Sequence, residues 1–336
     1  MRTHYYIIAA ALAALVFTSC EKVSPIGVLV SGTAVEDRVK MSHLYYQEYK
    51  SELEVAFADD EYSFIVGGDS HVTTDPGRMD EMLAIGLEND DLFYAHLGDI
   101  ADTKAEYYIV LDSLLKEAKK RFVNKNYVVD KDDPDRYHPK DNPQSWSLYS
   151  DIVFPFFPVV GNHDLTHNGW ALWSNIFHSS FYEFPVLVYN SENGDIEADR
   201  FIFLDTASGT LGKKQIDLIE EGSLDGSDKY RYRHTFVFSH TNIFRPSSMQ
   251  FASTFPREET FFLLDQFAEW NTSMVFCGHV HAWDEREFEG VTYLTLDSMS
   301  ERNSPEPGDY LVRVHVKKDG SLTWEKVHMN YTAKKK

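Results

Sequence analysis

One pattern recurs five times along this chain: a short apolar run stops at glycine or serine and hands over to a carboxylate, amide or imidazole side chain. Residues 62–68 lead into Asp69, 91–97 into Gly98-Asp99, and 156–160 into Gly161-Asn162-His163-Asp164. Residues 235–238 lead into Ser239-His240, and 274–277 into Gly278-His279. Short apolar runs closed by glycine read as buried strands, and open α/β sheets carry their chemistry at the carboxyl ends of such strands. Between them, 78–89, 104–122 and 211–221 have helical patterning, and a further helix is predicted over 41–57. Runs at 200–204, 291–296 and 310–316 predict a second sheet packed on the first, and Lys318-Asp319-Gly320-Ser321 predicts the turn of a closing hairpin. Residues 124–150 and 165–182 read as long loops, a length that is often functional.

The chain has 336 residues, 43% of them hydrophobic, enough for a large core; one domain over 61–333 is expected. A net charge of -21 opposes binding of nucleic acids or other long polyanions through the general surface. A small phosphorylated substrate can still be drawn in by locally held cations. At the amino end, Arg2 precedes an apolar run over 5–17. Spanning a bilayer takes about 20 apolar residues, so residues 1–20 read as a signal peptide. The run ends Phe17-Thr18-Ser19-Cys20, which resembles a bacterial lipobox. That predicts an exported protein of the cell envelope, lipid-anchored to a membrane through Cys20 on its periplasmic face or outer surface, with 21–60 as tether and N-terminal segment. The other cysteine, Cys277, ends a strand-like run, so no disulfide is expected and a nucleophilic role is disfavoured.

A single Asp after glycine is usually a turn residue and a lone His usually structural. The ordered set Asp69-x-His71, Gly98-Asp99-x-x-Asp102, Gly161-Asn162-His163-Asp164, His240 and Gly278-His279-x-His281 carries more weight. Imidazole nitrogens with carboxylate and amide oxygens suit Zn, Mn, Fe or Ni, and without clustered cysteines a closed structural zinc site is excluded. In Asp69-x-His71 and His279-x-His281, strand spacing puts both side chains on one side, whereas a turn aims them at different ions. Over 62–283 the set resembles the calcineurin-like metallophosphoesterase superfamily. The resemblance implies an α/β fold, a four-layer α/β/β/α sandwich of two mixed sheets with a dinuclear metal site at the strand C-terminal ends. It further implies that Asp69, His71 and His281 hold one ion, that Asn162, His240 and His279 hold the other, and that Asp99 bridges them. On this reading the chain is a hydrolase of phosphodiesters or phosphomonoesters that attacks in line with a metal-bridging hydroxide. His163 is the expected general acid, or transition-state charge partner, next to the leaving group, and Asp102 orients its ring. Purple acid phosphatases, a more distant resemblance, have tyrosine where this chain has Asp102, so a ferric tyrosinate centre is not expected. Asp102 also reads as an N-cap for the helix that follows.

His167 and Arg245 are further candidates for substrate contact, although a surface position explains either as well. Trp170, Trp173 and Phe177 have the spacing of a buried helix face, with Tyr182 beyond them, and core is the better reading than ring stacking. Asp164 reads as a loop brace. Two other functions fit the sequence: a lipid-tethered glycan- or protein-binding module that keeps the metal site as scaffold, and an exported nuclease. The net charge disfavours the second, and His163, unnecessary to a purely structural centre, disfavours the first.

Overall fold

The computed structural model describes residues 33–49, 55–102, 104–191, 194–222, 232–244 and 255–332. Cys20, the signal-like run and Arg245 lie outside the described residues. The first elements are α1 (Val35–Tyr49), β1 (Val55–Asp59), β2 (Tyr62–Gly67), α2 (Gly77–Glu88), β3 (Tyr94–His96) and α3 (Ala105–Asn126). Next come β4 (Tyr127–Val129), β5 (Arg136–Pro139), β6 (Ser147–Leu148), β7 (Phe156–Pro158), α4 (Trp170–Phe177), β8 (Tyr182–Tyr189) and β9 (Ile196–Phe203). The chain continues through α5 (Gly212–Glu220), β10 (Tyr232–Ser239), α6 (Arg257–Glu269), β11 (Thr272–Cys277), β12 (Asp284–Phe288), β13 (Val291–Thr295), β14 (Gly308–Val316) and β15 (Leu322–Met329).

These strands form a seven-stranded sheet, β1-β8-β9-β10-β11-β13-β12, a five-stranded sheet, β15-β14-β2-β3-β7, and a small antiparallel sheet, β4-β5-β6. Both large sheets are mixed: β9, β10, β11 and β13 are parallel neighbours, as are β2, β3 and β7, while β8/β9 and β14/β15 pair antiparallel.

Side chains alternate across each strand, and the alternation separates three apolar clusters. Phe64 and Val66 of β2 join Phe201 and Phe203 of β9, Phe236 and Phe238 of β10 and Val312 and Val314 of β14 in one cluster drawing on both large sheets. The intervening Ile65 and Leu311 pack with Met82 of α2 and Leu111 of α3. Ile202, Val237 and Val275 pack with Val39 of α1, Leu218 of α5 and Leu263 of α6. The mixed cluster is mainly aromatic: Phe64 stacks on Phe93 at 4.8 Å and Phe203 on Phe238 at 4.5 Å. Burying one such ring contributes roughly 1.5–3 kcal/mol.

Several expectations change. Strands at 200–204, 291–296 and 310–316 do not make one sheet: β14 pairs with β2, whereas β9 and β13 pair with β10 and β11. Sheet membership is decided by distant partners, which a local pattern does not encode. The helix expected over 41–57 starts and ends earlier, and its last residues become β1, paired in parallel with β8. α1 and β1 are thereby fastened to the large sheet: Arg38, fully buried, reaches Asp205 with both Nε and Nη2 at 2.9 and 2.8 Å. Glu36 accepts the N–H groups of Lys213 and Lys214 in the first turn of α5. The two expected loops carry β4–β6 and α4. Trp170 and Trp173 are buried and stacked at 5.5 Å, the core role given them above, and Tyr182 is buried with its hydroxyl donated to the Pro158 carbonyl. Cys277 is a buried free thiol whose pKa burial pushes up to about 12.

Candidate metal centre

β2, β3 and β7 belong to the five-stranded sheet and β10 and β11 to the seven-stranded one, and their carboxyl ends meet. The backbone there is unusual. Asp69 (φ 52°), His71 (45°), Asp99 (52°), His279 (68°) and His281 (53°) all occupy the left-handed region. Each costs an L residue roughly 1 kcal/mol or more, a strain that folds retain mainly at functional sites. The conformations are held by crossed backbone bonds, Asp69 N–H to the Gly98 carbonyl and His71 N–H to the Asp99 carbonyl, both 3.0 Å. From the far side, Ser298 Oγ and the Ser300 N–H donate to the Asp69 carbonyl. Two glycines make room. A Cβ on Gly161 would sit 2.2 Å from Asp99 Oδ1, and one on Gly278 would sit 2.5 Å from Asp69 Oδ2.

Among the described residues the side chains converge as three groups able to hold a metal ion, Asp69/His71/Asp99/His281, Asp99/His240/His279 and the more exposed His71/Asp102/His163, with Asp99 shared by the first two. In the first, His281 Nε2 lies 3.1 Å from Asp69 Oδ1 and 3.5 Å from His71 Nε2, and His71 Nε2 lies 3.8 Å from Asp99 Oδ2. In the second, His240 Nε2 lies 2.9 Å from Asn162 Oδ1, 3.1 Å from His279 Nδ1 and 3.6 Å from Asp99 Oδ1. Tautomers follow from the outer partners. His240 donates Nδ1–H to the Leu97 carbonyl at 2.7 Å, and His71 donates Nδ1–H to Asp102 Oδ1 at 2.9 Å. In the neutral rings each Nε2 therefore carries a lone pair aimed at other acceptors. Converging acceptors repel unless a cation sits among them, and nitrogen with carboxylate oxygen is the donor set of Zn, Mn, Fe or Ni. The residues fit a bound metal.

Charge tells the same story. Burial opposes ionisation of Asp69, yet its His281 hydrogen bond and the nearby His240, His281 and His71 hold the carboxyl well below the usual range. Burial lowers His71 and His240, but the Asp102 hydrogen bond with Asp99 and Asp69 for the first, and Asp99 and Asp69 for the second, raise both net. The pocket is a buried anionic site that draws protons or metal cations.

The remaining predicted residues are placed as follows. Asp164 braces the loops, as expected: it accepts the N–H groups of Ile100, Ala101 and Gly161 and the Tyr108 hydroxyl. Burial and the neighbouring Asp99 push its pKa up. Asp102 sits on His71 rather than His163, whose Nδ1 is 3.9 Å from Asp102 Oδ1. It does not cap α3, whose N-cap is Lys104. His163 stands beside the first group, in the third, its ring 4.8 Å from that of His71 and its backbone N–H donated to Asp99 Oδ1 at 2.7 Å. His167 is exposed and belongs to none of the three groups.

Sequence reading missed Arg302, which donates to Asp102 Oδ2 at 3.0 Å. Together His71 and Arg302 hold the Asp102 pKa down to about 2, the His71 hydrogen bond contributing most. It also missed Ser298 and His96. Buried His96 accepts the Gly98 N–H at Nδ1 and donates Nε2–H to Ser70 Oγ, whose hydroxyl donates to the Ile100 carbonyl. The loop after β13 has no periodicity or motif to announce Ser298 and Arg302; His96, three residues before Asp99 in a buried strand, was the one legible signal.

A comparison with protein-family models gives no match, and neither does one with curated protein sequences. Among solved structures, the chain is similar to GAP50, the anchor in the inner membrane complex of Plasmodium, at 12% identity and a TM-score of 0.51, over 82% of this chain and 90% of that one. It is also similar to a dimetal phosphatase from Danio rerio at 10% identity and a TM-score of 0.47, over 81% and 99%. The GAP50 likeness bears on the fold alone.

Proposed function

We propose that this chain is a dinuclear metal-dependent phosphoesterase built as a four-layer α/β/β/α sandwich. The observation that carries the reading is Asp99, shared by two groups of imidazole and carboxylate side chains whose ligand atoms lie close enough to hold an ion each. The three apolar clusters support the layering. When bound, two divalent cations supply Lewis acidity and a hydroxide nucleophile at neutral pH. Asp69, His71 and His281 hold one ion and Asn162, His240 and His279 the other. Asp102 fixes the His71 tautomer, the role a carboxylate takes behind a metal-bound imidazole. His163, outside the ligand set, donates a proton to the leaving oxygen.

Export and anchoring through Cys20 complete the proposal, supported by the apolar run and its terminal Thr18-Ser19-Cys20. The test is hydrolysis of bis-p-nitrophenyl phosphate and p-nitrophenyl phosphate by protein loaded with Mn, Zn, Fe or Ni, compared with His163→Ala. Hydrolysis that falls with the substitution supports the reading, and none with any metal overturns it.

A further inference from the structure

A cavity of about 380 Å³ opens beside the centre, with His71 in its wall. It is lined by Thr73, Thr74 and Asp75 from the loop between β2 and α2, and by Ser300, Glu301, Arg302 and Tyr331. These groups are fixed. Tyr331 donates its hydroxyl to Asp75 Oδ2 at 2.7 Å, and Asp75 Oδ1 accepts the Gly77 N–H. Glu301 accepts the Arg78 N–H at 3.0 Å, and Arg302 is held by Asp102.

We propose that this cavity receives the leaving group of the ester and selects an uncharged polyhydroxy alcohol of the glycerol or sugar type. The inference rests on the phosphoester reading. Position argues for the leaving group: the cavity is lined by His71 and Arg302, the partners of Asp102, and the expected proton donor His163 has its ring 4.8 Å from that of His71 and its Nδ1 3.9 Å from Asp102. The lining argues for the class. The lining combines the Asp75 and Glu301 carboxylates, the Thr73, Thr74, Ser300 and Tyr331 hydroxyls and the Arg302 guanidinium, a mixture of acceptors and donors able to satisfy several hydroxyl groups at once. Two carboxylates against one guanidinium disfavour a second phosphate or a carboxylate on the alcohol. An aryl or alkyl group would bury these polar atoms without returning their hydrogen bonds.

The experiment compares phosphate esters of glycerol and glucose with those of phenol and with diphosphate, each alcohol offered as a monoester and as a methyl phosphodiester, using Mn-loaded protein. The polyol esters are expected to lead in kcat/KM by at least about tenfold. Thr74→Val, at an exposed position that folding tolerates, and Tyr331→Phe should each cut the polyol-to-phenyl ratio several-fold, through KM. Phenyl ester or diphosphate turned over as well as the polyols, or a ratio unmoved by both variants, overturns the subsite and leaves the phosphoesterase intact. No ester hydrolysed under any metal overturns both.

Discussion

Replacing Gly161 by alanine tests the architecture of the centre with a single methyl group. Its Cβ would lie 2.1 Å from Asp99 N and 2.2 Å from Asp99 Oδ1. Ordinary contact needs a little over 3 Å, so the Asp99 backbone and carboxylate must retreat by about 1 Å, a displacement that costs a well-packed core about 1–3 kcal/mol. Because Asp99 serves both ligand groups, the same shift should loosen both ions, by about 10–100-fold each, as when a metal site loses its support. Titration calorimetry of Mn into chelator-stripped protein reads the affinities, and urea midpoints read the stability. Gly278→Ala, aimed at Asp69 Oδ2, should weaken one ion more than the other. Gly308→Ala, whose Cβ would press on the Tyr310 side chain, should leave both in place. A Gly161→Ala protein that loses stability yet binds two ions normally would refute Asp99 as the shared ligand.

Other outcomes follow from single residues. Asp102→Asn keeps the shape but loses the charge behind His71, and should lower metal affinity about 10–100-fold by calorimetry. His163→Ala should keep metal content by elemental analysis and lose about 10²–10⁴ in kcat on activated esters. His96 sets a pH dependence of stability. Burial pushes its pKa down to about 3, against the pull of Asp69 and Asp99. Above the ordinary histidine pKa both states are neutral; below it the unfolded chain takes a proton the folded chain refuses, so stability falls as pH falls. Between pH 7 and 5 this contributes a loss of about 2 kcal/mol. Urea midpoints of metal-free protein should show that loss shrinking in His96→Gln, and identical slopes would contradict it.

The sequence was most legible where chemistry and local pattern coincide. Runs at 62–67, 235–239 and 274–277 announce themselves as strands by apolar residues that stop at Gly or Ser, and left-handed Asp69 after the first and His279 after the third are residues expected as ligands. What stayed hidden is non-local. Pairing of β14 with β2 spans most of the chain, and the reach of Arg302 to Asp102 joins residues 200 positions apart. Asp102 shows the difference: its place beside the centre followed from Gly98-Asp99-x-x-Asp102, but its nearer partner, His71 and not His163, depended on the turn at φ 45°.

The most direct test of the central claim is anomalous diffraction from crystals of the Mn-loaded protein. The account predicts two peaks about 3.5–4 Å apart, one between Asp69, His71 and His281, the other between Asn162, His240 and His279, with Asp99 touching both. A single peak, or ions bound away from Asp99, would contradict it.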